Sequence, residues 1–329
     1  MFENPPRNSL HSGLAIENLY EIVRRSGYPL QTAVATELQH QFVITEEWGY
    51  PDRRTEEHRT LDVFAYRRLE QEVLGGITVV PSVVLLLECK QSTLPYFFFR
   101  SVAYQSRPVP DFPCVFGIRP INLTAGNSTR ETQATECLGL SSEPFASKGP
   151  AVCATLARAA RKGKAPESPS NSAEATEKVK PSNLELTGKD AYQSIILPLW
   201  SAMHHMRDLY VPISGAAIYP VLTASVCVLD APMLLVDGPP ENPVLTLSPW
   251  VRVVRQEKHR RHASFSIANR AIDFVHRDFL KHFVSEFLAF ADVFRSRAIS
   301  LAPVLCHGYG AVSDLNNITW NEIRSVVKS

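Results

Sequence analysis

The sequence predicts an α/β protein: a mixed β-sheet flanked by helices, with a helical extension at the C-terminal end. Two observations lead to this fold class. Helical and strand-like patterns follow in the order two helices, three strands, an interrupted helix, two strands, and a further strand and helix, which favours a sheet covered by helices. Hydrophobic residues make up 45% of the 329 residues and charged residues 20%, so the chain can bury a sizeable core.

The N-terminal part of the chain supplies the first elements of this sheet. Residues 12–26 form an amphipathic pattern typical of a short helix, and apolar residues four apart predict a second helix over 30–41. Three strands are then expected, over 42–48, 60–67 and 79–90. The third strand is apolar on both faces, which is typical of a central strand that is covered on both sides.

The rest of the chain is expected to hold an insertion, the remainder of the sheet and an extension. Residues 161–183 have almost no large apolar side chains, so this segment is predicted to be disordered within a largely flexible insertion. A helix with a kink or late start at Pro198 follows, and a long helix is expected over 269–296. The predicted boundaries are 1–118 for the first part of the core, 119–188 for the insertion, 189–249 for the remainder of the core, and 250–329 for the extension.

The charge balance limits the partners that the chain as a whole would attract. Lysine and arginine number 34 against 33 aspartates and glutamates, a net charge of +1, so a uniformly basic nucleic-acid binder is not expected. A nucleic-acid contact must then come from a local patch. The densest basic run follows a predicted strand at 250–256, and it would contact phosphates or, alternatively, form a solvated loop or edge strand. Its candidate binding residues are Arg255, Lys258, Arg260 and Arg261.

The composition of individual segments predicts a cytoplasmic protein without a membrane partner. The N-terminus lacks the apolar segment of a secretory signal. The uncharged stretch over 211–229 contains two prolines and many β-branched residues, so strands explain it better than a spanning helix. The six cysteines show no CxxC or CxxH spacing, so neither a zinc site nor a disulfide framework is indicated, and a reducing compartment is expected.

Phenylalanines recur at helical spacing along one side of the helix expected over 269–296. Such a stripe is typical of core packing. If the strands leave no room for it, the next choice is a homodimer interface through this helix. The stripe includes Phe279, Phe283, Phe287, Phe290 and Phe294.

The segment VVLLLECKQS combines an apolar strand with charged residues at its end. Glu88 and Lys90 lie two residues apart, so on a strand their side chains leave the same face. Opposite charges are costly to bury there unless they pair or hold a ligand. Asp62 interrupts an earlier strand, TLDVFAYR, and would approach Glu88 if the two strands pair. Two carboxylates that converge beside a lysine suit a hard divalent cation such as Mg²⁺, which can polarise a phosphodiester and activate water.

A fourth candidate, Glu37, lies on the second predicted helix. It follows Val34 by three residues, at the border of the face that packs inward. A carboxylate at that position would reach the same end of the sheet and assist a metal or a water molecule. Lys90 would orient the attacking water and offset negative charge that builds on the phosphate.

The order of these residues resembles the PD-(D/E)xK nuclease superfamily, the restriction-endonuclease-like fold. The resemblance rests on a helix Glu, a strand Asp and then Glu-x-Lys closing an apolar strand. Several short segments are also similar in sequence to those of a bacterial group within that superfamily. GYPL opens the helix, RTLDV lies in the second strand, and ECKQS is followed closely by PYFFF. The match covers residues 12–100 well and extends loosely to residue 237. No proline precedes Asp62, which departs from the pattern.

The resemblance implies a metal-dependent nuclease, a Mg²⁺-dependent phosphodiesterase that hydrolyses DNA in host defence or DNA processing. It implies that Asp62 and Glu88 bind Mg²⁺ (or Mn²⁺), with the backbone carbonyl of Cys89 as a further ligand. Lys90 and Glu37 would be the catalytic residues. The Cys89 side chain itself is expected on the opposite face of the strand. Three further residues are expected to contact the metal-binding and catalytic residues without binding the metal themselves: Gln91, Tyr192 and Gln193.

Two other classes of function stay open on the sequence alone. One is a non-catalytic nucleic-acid-binding module on the same fold, although an inactive site would not need Lys90. The other is a protein-interaction module that presents the C-terminal helix. No GxxxxGK[ST], GxGxxG or GxSxG motif occurs, so NTP binding, dinucleotide binding and a serine hydrolase are not indicated.

Overall fold

The computed structural model of this protein joins twelve of the described strands in one large sheet. Residues 163–182, most of the segment predicted to be disordered, lie outside the described part of the chain. Over 256–261 and 264–270 the backbone alone is described. The described residues are 5, 7–10, 13–52, 55–101, 112–162, 183–213, 215–261 and 264–325.

The helices and strands occupy the following ranges. The described α-helices are α1 (Ile16–Arg25), α2 (Tyr28–Leu38), α3 (Ala134–Cys137), α4 (Pro144–Ser147), α5 (Lys189–Ala191), α6 (Leu197–Leu209), α7 (Leu280–Ser300) and α8 (Ala302–His307). The strands before α5 are β1 (Val43–Pro51), β2 (His58–Arg68), β3 (Glu72–Leu74), β4 (Ile77–Val79), β5 (Ser82–Gln91), β6 (Tyr96–Arg100), β7 (Cys114–Phe116), β8 (Ile121–Ala125), β9 (Ser128–Thr132), β10 (Ala151–Arg161) and β11 (Leu184–Thr187). The later strands are β12 (Ala217–Ile218), β13 (Val221–Asp230), β14 (Met233–Asp237), β15 (Val244–Leu247), β16 (Trp250–Arg261), β17 (Ser264–His276), β18 (Tyr309–Ala311) and β19 (Arg324–Ser325).

The large sheet is mixed and runs in the order β1-β2-β5-β13-β17-β16-β10-β6-β14-β15, with β11 beside β10 and β7 beside β13. Its first three strands are antiparallel neighbours, and β13 lies parallel to β5 with Val221 opposite Ser82. A parallel pair needs a crossover connection, and α6 lies in the chain that connects these two strands. Two smaller sheets have the orders β12-β4-β3 and β19-β18-β8-β9. The predicted class, an α/β protein with a mixed sheet flanked by helices, is confirmed.

Two hydrophobic clusters lie on the two faces of the large sheet. Apolar residues of α2 and α7 belong to one cluster, and those of α6 belong to the other. Strand β5 contributes alternately to both, with Leu85 and Leu87 in the α2 and α7 cluster and Val84 and Leu86 in the α6 cluster. Both faces of this strand are therefore buried, as its continuous apolar sequence predicted.

Two expectations about the middle of the chain agree with the structure. Pro198 stands at the start of α6, directly after a π-helical turn over Tyr192–Ile196. Proline has no N–H to donate, so it is tolerated in the first turn of a helix. The uncharged stretch over 211–229 holds β12 and most of β13. Among the described residues, no helix combines the length and the apolar character needed to cross a membrane.

Residues 119–150 pack into the core, which differs from the flexible insertion predicted for this part of the chain. Strands β8 and β9 pair with each other, and β8 also pairs with β18. Ile121, Leu123, Leu138 and Leu140 are fully buried in the cluster that contains α7. The apolar side chains of this segment follow no helical or strand period, so the sequence pattern did not predict that they are buried. Short helices and strands bury them nonetheless.

The long C-terminal helix begins later than its apolar spacing predicted. The helix expected over 269–296 is wrong in its first part, because β17 runs to His276 and α7 starts at Leu280. Strand β17 pairs with both β16 and β13, so this segment belongs to the sheet and not to an extension. The four consecutive residues 272–275 are all buried, which fits a central strand and not one face of a helix.

The phenylalanines of α7 point into the core. Phe283, Phe287 and Phe294 are fully buried, and Phe290 is 4% exposed. Phe145 of α4 lies among them, with ring centroids 5.1 Å from Phe290 and 5.8 Å from Phe283. Core packing is therefore confirmed for this stripe. A homodimer through the helix stays a prediction and would have to use other residues.

A buried ion pair joins β16 to β17. Arg252 and Asp273 lie opposite each other and are fully buried, with Arg252 Nε 2.9 Å from Asp273 Oδ1. Arg252 Nη1 also donates to the backbone carbonyls of Phe145 and Ala146. Trp250 Nε1 is a second donor to Asp273 Oδ1. The two charges are therefore compensated, and Arg252 connects α4 to the sheet.

We expect Asp273→Asn to lower the free energy of unfolding by about 3–5 kcal/mol, because it leaves the Arg252 guanidinium buried beside a neutral group. Urea unfolding followed by circular dichroism measures this change. Glu70→Gln is the matched control, since Glu70 pairs with Arg295 through a side chain that is 82% exposed. That control should change the free energy of unfolding by less than about 1 kcal/mol. Similar effects of the two substitutions would contradict the structural role of the buried pair.

Candidate functional site

Strands β2 and β5 separate at the residue that carries the first candidate side chain. Their antiparallel ladder ends with Val63 opposite Leu87, and Asp62 is the next residue on β2. There the Oδ2 atom of Asp62 accepts a hydrogen bond of 2.6 Å from the backbone N–H of Cys89. The carboxylate takes the place of a ladder carbonyl, so it is held at the point where the two strands part.

The regular alternation of side chains along β2 is interrupted at Asp62. The register between β1 and β2 steps over Glu47 and Asp62, and Glu47 has a φ of 49°, in the left-handed region that residues other than glycine rarely adopt. Leu61 and Val63 would share one face of a regular strand. Here Leu61 belongs to the α6 cluster and Val63 to the α2 and α7 cluster. The irregular backbone thus sets the direction of the Asp62 side chain.

The two charged residues at the end of β5 meet Asp62 at this point. The Lys90 Nζ atom lies 2.5 Å from Glu88 Oε2 and 3.5 Å from Asp62 Oδ2. Glu88 is 4% exposed, whereas the side chains of Lys90 and Asp62 are 27% and 25% exposed. The structure therefore brings Asp62, Glu88 and Lys90 together in one group, the triad, in which one ammonium contacts two carboxylates and solvent reaches one side.

The environment of the triad shifts the pKa values of two of its members. Burial raises the pKa of Glu88 to about 7, although the Lys90 ammonium opposes this shift. Burial disfavours the charged form of Lys90, but the carboxylates of Glu88 and Asp62 outweigh burial and raise the pKa of Lys90 above its ordinary value. At neutral pH Lys90 is charged and Glu88 is near its titration midpoint, so Glu88 can exchange a proton there.

Helix α2 contributes a different residue to the site from the one expected. The buried Gln31 donates a hydrogen bond of 3.0 Å from Nε2 to the backbone carbonyl of Asp62. Glu37 is exposed and lies along a groove of about 680 Å³ between α1 and α2. In the part of the chain that the structure describes, no hydrogen bond or ion pair joins Glu37 to the triad. Gln31 is a polar residue between Leu30 and Val34 on the apolar face of the helix, which is the signal that could have identified it.

Residues next to the triad along the sheet lie where strand alternation puts them. The Cys89 side chain packs in the α2 and α7 cluster, on the face opposite Glu88, as expected. Gln91 is exposed and donates a hydrogen bond of 3.2 Å to Asp230 Oδ2 on β13. Cys227 of β13 lies opposite Glu88 and is fully buried. Burial raises the pKa of its thiol well above the ordinary value, so Cys227 is a neutral neighbour of the site.

The π-helical turn before α6 carries the two remaining candidates. Tyr192 is half-buried and stands edge-on to Trp200, with 6.0 Å between ring centroids. The Arg255 guanidinium lies 5.4 Å from the centre of the Tyr192 ring. Gln193 is exposed, and neither Tyr192 nor Gln193 makes a described contact with the triad. The basic residues on β16 whose side chains fall outside the described part are Lys258, Arg260 and Arg261.

The donor set of the triad consists of oxygen atoms, which Mg²⁺ prefers. Asp62 and Glu88 both face one positive group, the Lys90 ammonium, so their carboxylates already share a cation. Over the described residues, no group of three or more His, Cys, Asp or Glu side chains is arranged to hold a metal ion. Mg²⁺ commonly binds through one or two protein carboxylates and keeps several waters, so two carboxylates are sufficient for it.

The fold and the triad define an α/β protein with a mixed sheet and an acidic and basic cluster at the end of the buried strand β5. No protein-family model, no curated protein and no solved structure matches this chain. A function must therefore be argued from the geometry and chemistry of the site.

The raised pKa of Glu88 makes stability depend on pH in a definite direction. Between the ordinary pKa of 4.5 and the raised value of about 7, the folded protein binds a proton that the unfolded chain has lost. The free energy of unfolding therefore falls as the pH rises through this window. At about 1.4 kcal/mol per pKa unit, the full decrease is on the order of 3 kcal/mol.

We expect this decrease to be absent from Glu88→Gln, which has no titrating group at that position. Urea unfolding at a series of pH values measures the difference between the variant and the wild type. Glu37→Gln is the matched control, because it removes an exposed carboxylate of the same type and should keep the wild-type pH dependence. Identical pH profiles of Glu88→Gln and wild type would refute the assigned pKa.

Proposed function

We propose that this protein is a metal-dependent nuclease that hydrolyses phosphodiester bonds of nucleic acid, DNA in particular. The observation that carries the proposal is the triad, in which one ammonium lies within 3.5 Å of two carboxylates at a partly open end of the buried strand β5. A buried acid with a pKa raised to about 7 beside a lysine is the kind of perturbed group that clusters at functional sites. The resemblance to PD-(D/E)xK nucleases in the order of Asp62, Glu88 and Lys90 supports the same conclusion.

Each member of the triad has a task in this reaction. Asp62 and Glu88 would hold Mg²⁺ or Mn²⁺, with the Cys89 carbonyl as a further ligand, and the ion would polarise the phosphodiester and activate water. Lys90 would orient the attacking water and offset negative charge on the phosphate. Gln31 and the N–H of Cys89 bind the carbonyl and the carboxylate of Asp62, so this acid keeps its position during the reaction.

Nucleic acid is the proposed substrate because two carboxylates and an ammonium suit phosphodiester chemistry and because β16 carries a basic run. The net charge of +1 gives no general attraction to a polyanion, so affinity has to come from local cations such as Arg255 and the run that follows it on β16. Host defence or DNA processing is the setting that the resemblance suggests, and the cysteine spacing predicts a reducing cytoplasm.

A non-catalytic nucleic-acid-binding or protein-interaction module is the second candidate function. One observation favours it: Lys90 already pairs with both carboxylates, which compensates the buried charge of Glu88 without a metal ion. A module of this kind would bind nucleic acid or a protein partner and leave phosphodiester bonds intact.

Cleavage of plasmid and single-stranded DNA in the presence of Mg²⁺ or Mn²⁺ tests the proposal. We expect EDTA to abolish cleavage, and Lys90→Met and Asp62→Asn each to lower the rate by about 10²-fold or more, because each removes a charge that acts on the phosphate or holds the ion. Gel electrophoresis of the products measures the rates, and circular dichroism checks that the variants are folded.

Glu37→Gln is the matched control for these variants. Its carboxylate lies on the exposed side of α2, away from the triad, so we expect wild-type cleavage. If the wild-type protein leaves both substrates intact with either metal, or if folded Lys90→Met cleaves at the wild-type rate, the nuclease proposal fails and the binding module takes its place.

A further inference from the structure

A pair of arginines lies on the same side of the sheet as the α6 cluster, outside the triad. Arg158 of β10 is directly opposite Tyr96 of β6, and the Tyr96 ring is buried in that cluster. Residues opposite each other in a ladder share a face, so Arg158 projects toward the same side. Arg255 continues the alternation of Val251 and Val253, which belong to the same cluster.

Both arginines have a buried donor without an acceptor. Their Nε atoms are shielded from solvent and make no hydrogen bond within the part of the protein that the structure describes. The indole Nε1 of Trp200, a residue that is 6% exposed, is in the same condition. Tyr192 contacts both Trp200 and the Arg255 guanidinium. The side chains of Trp200 and Arg255 therefore lie next to the same aromatic residue. Buried donors without acceptors are costly, and a ligand rich in acceptor oxygens would remove that cost.

Tyr96 has a buried side chain on the same face of the sheet as Arg158. Burial raises the pKa of Tyr96 to about 12, and the charges of Arg158 and Lys90 both oppose this shift. The two cations therefore lie near the same buried hydroxyl. The acid that acts on this hydroxyl is Asp190, and no described ion pair joins Asp190 to Arg158. Lys90 pairs with Glu88 and Asp62, whereas no ion pair of Arg158 is found among the described residues.

We propose that Arg158 and Arg255 bind phosphate groups of the nucleic-acid chain on the α6 side of the sheet. This inference rests on the proposed nuclease function for its substrate. A guanidinium group presents a planar set of donors that matches phosphate oxygens in a bidentate way. Free phosphate has the same chemistry, but two guanidinium groups and an ammonium on one face match a chain of repeating anions better than a single anion. The Arg255 guanidinium also lies over the Tyr192 ring, which adds a cation–π contact.

The test measures binding separately from cleavage. Fluorescence anisotropy in EDTA follows a short labelled single-stranded DNA at several salt concentrations, with wild type and the double variant Arg158→Gln/Arg255→Gln. We expect the double variant to bind about 10-fold more weakly and to lose about 1–2 units from the slope of log affinity against log salt, because two phosphate contacts are lost. Arg67→Gln, at an exposed arginine on the other end of β2, is the matched control and should behave as wild type.

A second double variant covers the case in which the glutamine variant does not fold. Arg158→Lys/Arg255→Lys keeps both charges and loses the guanidinium groups, so we expect it to fold, to keep the salt slope and to bind about threefold or more weakly than wild type. Wild-type affinity in a folded double variant, or no binding of DNA by the wild-type protein, would overturn the proposal.

Inorganic phosphate added as competitor separates the two sources of phosphate. Displacement of the DNA by an equal concentration of free phosphate would assign the site to a small anion and would also overturn the proposal. The binding assay does not depend on catalysis. A protein that binds DNA through Arg158 and Arg255 but does not cleave it contradicts the nuclease function alone, and a protein that cleaves with unchanged binding in the variants contradicts this inference alone.

Discussion

A buried carboxylate at the end of an apolar strand is the constraint on which the rest of the site depends. Eight consecutive residues of β5, from Ser82 to Cys89, are buried, and Glu88 is the single acid among them. A charge at such a position has to be compensated, and Lys90 is the cation within reach. The burial of Glu88 therefore determines where the Lys90 ammonium is held, and Lys90 in turn contacts Asp62.

The separation of β2 from β5 leaves one side of this charge pair open to solvent. Asp62 binds the N–H of Cys89 in place of a ladder carbonyl, and Gln31 of α2 binds the Asp62 carbonyl from the other side. Asp62 is thus fixed by two hydrogen bonds that do not involve Lys90. A regular ladder would have closed this end of the sheet, and the irregular backbone at Glu47 and Asp62 keeps it open.

Strand β16 shows how spacing alone assigns two arginines to different roles. Arg252 and Arg255 are three residues apart, so their side chains leave opposite faces of the sheet. Arg252 is buried with Asp273 and connects α4 to the sheet. Arg255 faces the α6 side, where an aromatic ring is its described neighbour and its Nε has no described acceptor. The same residue type stabilises the fold at one position and is the proposed phosphate ligand at the other.

The sequence by itself determined the first two helices, the three strands that follow them, and the common face of Glu88 and Lys90, because these features depend on the period of neighbouring residues. Only the tertiary structure decided that Gln31 reaches Asp62 in place of Glu37, that residues 264–276 form a strand, and that Arg158 lies opposite Tyr96. Local periodicity describes one face of one element. The partners of that face come from distant parts of the chain, and backbone pairing across the sheet selects them.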